Sequence, residues 1–171
     1  MTGWVILVHP GSMFGSAEAG LGRQAARDAR EGVLAEIEAT PDAGLVTIHG
    51  FFSDEIGPVW GARLAAAERA RRDAGFPVLR LWGCDNFPAP PPGRGAFDAI
   101  FTHQTPAAEH VATLLGPGDD VLVTGAWHDP GGETGCVTGV AETIRARATG
   151  VTVRVSDEAL VHPDFSTSPE P

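Results

Sequence analysis

Lysine is absent: all 12 basic residues of this 171-residue chain are arginines. A Walker-A phosphate loop, a Schiff-base lysine and a lysine general base are thereby excluded, because each depends on an ammonium group. Tyrosine is absent as well, and the 2 cysteines, Cys84 and Cys136, are too few for a disulfide framework. Positive charge is scarce: 22 acidic residues leave a formal net charge of −10. Binding to nucleic acid or to an anionic membrane draws on clustered cations and counterion release, so neither partner is expected. No run of about eighteen apolar residues occurs. The opening Met1-Thr2-Gly3-Trp4-Val5 leads into a short apolar run with no basic segment before it, which gives a cytoplasmic expectation.

What remains is long enough for one domain with a buried core. Short apolar runs alternate with longer Ala-rich segments, the pattern of strand and helix in turn. Strands are expected at Trp4–Val8, Leu45–His49, Val78–Trp82, Phe97–Phe101, Val121–Thr124 and Val151–Val155. Between them, residues 18–39 carry Leu21, Ala25, Ala29, Val33 and Ile37 at helical spacing. Gly57-Pro58 opens a helix that runs through Arg72 and that Gly75 closes, Thr105-Pro106 starts one reaching Leu115, and Thr134 or Gly135 caps one from Cys136 to about Ala148. Cys84 to Gly95 is too rich in proline for a helix or a central strand. The expected fold is α/β: a three-layer αβα sandwich with a mostly parallel, doubly wound, Rossmann-like sheet of about five or six strands. Residues 1–161 form the single domain and 162–171 a tail.

In such sheets, ligands bind beyond the carboxyl ends of the strands. His9, His49, Cys84, Asp85, His103, His128 and Asp129 all follow expected strands. Loops after strands are polar in any protein, but imidazole, thiol and carboxylate on one rim could also supply acid, base and nucleophile, or hold a divalent metal such as zinc. No two histidines have a helical metal-motif spacing, and no cofactor is otherwise implied. Cys136 is the sharpest single feature. It stands in the first turn of an expected helix after Gly131-Gly132-Glu133-Thr134-Gly135, where unpaired amides and the helix dipole favour a thiolate and could hold an oxyanion. The alternative is a small buried hydrophobe packing helix on sheet. His9-Pro10-Gly11-Ser12-Met13-Phe14-Gly15-Ser16 is either a phosphate cradle or a tight connection, and it lacks the G-x-G-x-x-G pattern. Trp127 reads as a ligand wall or as packing.

With these residues in place, the chain resembles the isochorismatase-like cysteine hydrolases. The likeness rests on Val121-Leu122-Val123-Thr124-Gly125, then Gly135-Cys136-Val137, Ala141-Glu142-Thr143, Gly150 and Val151 to Ala159. These are similar to the family's strand ending in Val-Thr-Gly, its nucleophile at a helix start and its closing strand. Val8-His9-Pro10-Gly11-Ser12-Met13-Phe14 stands where the family has Ile-Asp-x-Gln-Asn-Asp-Phe. The family's aspartate base would fall on His9, and its lysine falls on none, Arg94 being the nearest cation. The resemblance implies attack by a Cys136 thiolate on a small amide or imidate; in place of the family's aspartate, His9 or His128 is the expected base, a role that an imidazole takes at neutral pH. Arg94 would clamp a substrate carboxylate, Asp129 or Asp85 would orient an imidazole, and Gly135, Asp129, Trp127 and Phe14 would contact the substrate. Two other readings stay open: a metal-dependent enzyme using the rim of His9, His49, His128 and Asp129, and a silent α/β domain kept for binding or assembly. A small-molecule substrate and a homo-oligomer are the partners that suit this fold.

Overall fold

The computed structural model describes residues 3–50, 56–84, 89–92, 95–132 and 134–165. Seven strands are present among the described residues: β1 (Gly3–Val8), β2 (Ala43–His49), β3 (Val78–Gly83), β4 (Ala99–Phe101), β5 (Asp120–His128), β6 (Thr152–Val155) and β7 (Leu160–Val161). Six follow the order β4-β3-β2-β1-β5-β6 and β7 adds to the end of β5. Every pairing between them is parallel. A parallel sheet needs crossovers that cover both faces, and five helices supply them: α1 (Gly15–Leu21), α2 (Arg23–Ala39), α3 (Pro58–Asp73), α4 (Gln104–Ala112) and α5 (Cys136–Arg147).

Alternate residues of each strand feed the two cores. Trp4, Ile6 and Val8 of β1 pack with Val111, Val140 and Ile144 of α4 and α5. Val5 and Leu7 face the other way, against Val33, Leu34 and Ile37 of α2 and Trp60 and Leu64 of α3. The architecture is thus the expected α/β three-layer sandwich.

Local differences have local causes. The segment expected as one helix over 18–39 is two, because Gly22 takes φ 86 and ψ 155 and interrupts the hydrogen-bonded ladder. The buried stripe of α2 is Ala26, Arg30, Val33, Leu34 and Ile37, with Ala25 exposed. Arg30 can be buried because its guanidinium donates to the Met13 carbonyl and to Glu18, both at 3.0 Å, and lies 4.5 Å from the Phe14 ring centroid. At α4 the cap is His103, whose Nδ1 accepts the Thr105 amide at 3.0 Å. Strand β5 runs four residues past Thr124, and β7 had no signal as an isolated pair of apolar residues.

The order of strands reverses at β1: the chain goes outward through β2, β3 and β4, then returns to add β5 and β6 on the other side. The crevice between the ends of β1 and β5 is therefore the switch point. Gly125 makes this junction tight. It has φ +115, and a Cβ there would overlap the Val8 carbonyl oxygen and lie 2.8 Å from the Val8 nitrogen. Gly125→Ala is expected to destabilise the fold by about 3 kcal/mol through backbone strain and overlap. Urea unfolding monitored by far-UV circular dichroism checks this; an unchanged midpoint would contradict it.

Candidate active site

The residues expected at the rim separate into groups. His9 ends β1 in the left-handed conformation, φ 46 and ψ 58, where its amide donates to the Ile48 carbonyl at 2.8 Å. Its Nε2 lies 3.0 Å from the Gly83 carbonyl oxygen. A carbonyl only accepts, so Nε2 holds the proton in that bond. The ring lies over β2, 3.1 Å from where a Cβ on Gly50 would stand, and so leans toward β3 and away from β5.

His49 ends β2. Neither of its ring nitrogens has a hydrogen-bond partner among the described residues, and the ring packs edge-on to Phe97 at 5.4 Å. Phe97 in turn stands edge-on to buried Trp82 at 5.6 Å. Burial, aided by the positive charge of Arg80 and by His9, pushes the pKa of His49 down to about 3. It is a neutral imidazole in an aromatic setting.

His128 ends β5, and its Nδ1 lies 3.0 Å from the Thr138 hydroxyl of α5. Thr138 Oγ1 also accepts the Asp129 amide at 2.9 Å, so it ties the strand end to the helix. Burial lowers the His128 pKa despite the opposing carboxylate of Asp129. Asp129 accepts the Thr134 hydroxyl at 2.9 Å, which closes the loop between β5 and α5. Its carboxylate shapes that loop rather than orienting a ring. Phe14 packs edge-on to Trp60 at 5.7 Å, under α3. Arg94 and Asp85 lie outside the described residues.

Cys136 occupies the place that the helix signals indicated, as first residue of α5 with Gly135 as N-cap. The first intrahelical bond runs from the Gly139 amide to the Gly135 carbonyl at 2.7 Å, so the Cys136, Val137 and Thr138 amides precede it and point out of the helix start. Gly135 is required by contact. A Cβ there would overlap the Trp127 carbonyl oxygen and lie 2.8 Å from the Asp129 nitrogen. Helix α5 is thus seated directly on the backbone of the β5 end.

The cysteine is half-buried and carries a thiol rather than a disulfide, as does Cys84 at the end of β3. It opens into a cavity of about 150 Å3 lined by Trp127, Thr134, Gly135, Cys136, His162 and Asp164. The expected residues brought together here are Cys136, Gly135 and Trp127. His9, His128, Asp129 and Phe14 are not part of this lining.

Sequence reasoning missed His162, which it set aside with the tail. The chain reaches it through β7, which pairs with the far end of β5 at Ala126 and His128. The His162 ring stands edge-on to Trp127, centroids 4.9 Å apart, and its Nδ1 accepts the Asp164 amide at 3.2 Å. The apolar Ala159-Leu160-Val161 ahead of it, of which Ala159 and Leu160 are buried, is too short a run to mark a strand from the sequence.

Among the described residues, no three of His, Cys, Asp and Glu gather as a metal-binding group, and no helix is long and apolar enough to cross a membrane. No family model, curated protein or solved structure matches this chain.

A stability effect follows from His49. In the unfolded chain its imidazole binds a proton near pH 6.5, whereas in the fold it does so near pH 3. Its contribution is complete above pH 6.5 and is lost as pH falls from 6.5 toward 3, with a slope approaching about 1.4 kcal/mol per pH unit. Unfolding free energies over this range should fall less steeply in His49→Phe than in the wild type. Parallel curves would contradict the assignment.

Proposed function

We propose that the chain is a cysteine hydrolase of the isochorismatase-like type, acting on a small amide or imidate through a Cys136 thiolate. The observation that supports this most is the cavity at the start of α5, where Cys136, the helix-capping Gly135 and His162 line the same small volume. Its size, about 150 Å3, lies below the roughly 300–1,000 Å3 of drug-sized ligand sites, which suits a substrate of few heavy atoms.

The chemistry follows from those parts. The thiol proton passes to an imidazole and the sulfur attacks the substrate carbon, forming a C–S bond as the carbonyl electron pair moves to oxygen. Helix-start amides hold that oxyanion, with the dipole adding to their field. On collapse, the C–N bond breaks and the imidazolium returns its proton to the departing nitrogen. Water then gives a proton to the imidazole and attacks the thioester, and the sulfur leaves as thiolate. No residue replaces the family's lysine in the described lining, and its only carboxylate is Asp164. A neutral substrate therefore fits this cavity better than a carboxylate-bearing one.

Cys136→Ala is expected to reduce amine or ammonia release from a panel of small amides and imidates to the uncatalysed background, with the melting temperature nearly unchanged. Cys84→Ala should retain activity. Hydrolysis at the wild-type rate in Cys136→Ala would end the proposal and favour the metal-dependent reading.

A further inference from the structure

Neither histidine expected to serve the thiol lines the cavity into which it opens. His9 is turned over β2 to the Gly83 carbonyl. His128 is held by Thr138, which lies two residues beyond Cys136 and hence about 200° around the helix. We infer that His162 is the imidazole that activates Cys136, and that Asp164 positions it. This rests on the cysteine-hydrolase reading above, and it replaces that family's aspartate and lysine with a pair delivered from beyond β7.

Three observations carry it. First, His162 and Cys136 line one cavity, with Asp164 beside them; these three are the titratable groups among its described lining. Second, the ring has a defined seat. Trp127 meets it edge-on at 4.9 Å, and Trp127 belongs to β5, the strand whose end carries the α5 start. Third, Asp164 offers Nδ1 two partners of opposite kind: its amide at 3.2 Å and its carboxylate Oδ2 at 3.5 Å.

The two partners correspond to the two tautomers of the neutral ring. A neutral ring with its lone pair at Nδ1 accepts the amide and keeps its proton on Nε2. With the proton on Nδ1 directed to the carboxylate, Nε2 has the lone pair and takes the thiol proton. The resulting imidazolium donates through Nδ1 to the carboxylate and through Nε2 to the sulfur anion. The proton moves from sulfur to nitrogen and, at C–N cleavage, from nitrogen to the departing amine; the water that then attacks the thioester returns one to the imidazole. The Asp164 side chain is 85% exposed, so water and salt screen its charge. Its effect is that of a positioning residue.

The test uses the full chain in a Cys84→Ala background, so that Cys136 is the only thiol, with iodoacetamide as probe and mass spectrometry as readout from pH 5.5 to 9. At pH 6.5, modification should be about tenfold slower in His162→Gln than in the parent, because the thiolate loses its imidazolium partner. The two rates should converge toward pH 9, where an ordinary thiol ionises unaided. Asp164→Asn should fall within about threefold of the parent. A His162→Gln profile that overlies the parent at every pH would overturn the assignment. The two proposals fail separately: if Cys136→Ala abolishes hydrolysis while His162→Gln leaves the alkylation profile unmoved, only the His162 role falls. If Cys136→Ala hydrolyses normally while the profile shifts, the hydrolase reading falls and the thiol–imidazole pair stands.

Discussion

Helix α5 begins where backbone touches backbone. Gly135 has no side chain, so the helix start can press against the Trp127 carbonyl and the Asp129 amide at the end of β5. Any Cβ would hold the helix off and carry Cys136 and its neighbouring amides away from Trp127. A second close approach, Gly125 against the Val8 backbone, fixes β5 on β1. Together they set where the thiol stands relative to the sheet.

The consequence is a division of the strand-end rim. On the β2 and β3 side, His9 and His49 sit in a carbonyl bond and an aromatic nest. On the β5 side, the cavity collects Cys136, Trp127 and His162. His128 and Asp129 stand between, binding strand to helix through Thr138 and Thr134. Histidines that line up along the sequence at strand ends thus serve different ends in space, because each strand end has its own neighbours.

Much of the fold was legible. Continuous apolar runs such as Trp4–Val8 marked strands buried on both faces, and Gly57-Pro58 and Gly135 marked helix starts that the structure contains. The break at Gly22 was not, since a single glycine within a helical pattern is tolerated as often as it interrupts. The site was legible only in part. Cys136, Gly135 and Trp127 came from local signals: a helix start, a helix-capping glycine and an aromatic after a strand. His162 came from none, because its place depends on β7 pairing with β5, a tertiary contact that two apolar residues do not announce. The roles expected of His9, His128, Asp129 and Phe14 rested on chain order, and side-chain direction is what chain order leaves out.

The proposed chemistry depends on a nucleophilic thiol at the start of α5. The most direct measurement is an acid-quenched mass spectrum taken within seconds of mixing the protein with a small activated acyl ester, followed by peptide mapping. A single acyl group on the peptide containing Cys136, absent from Cys84 and absent when the protein is unfolded in urea, is the predicted result. No acylation, or equal labelling of both cysteines in folded and unfolded protein, would contradict it.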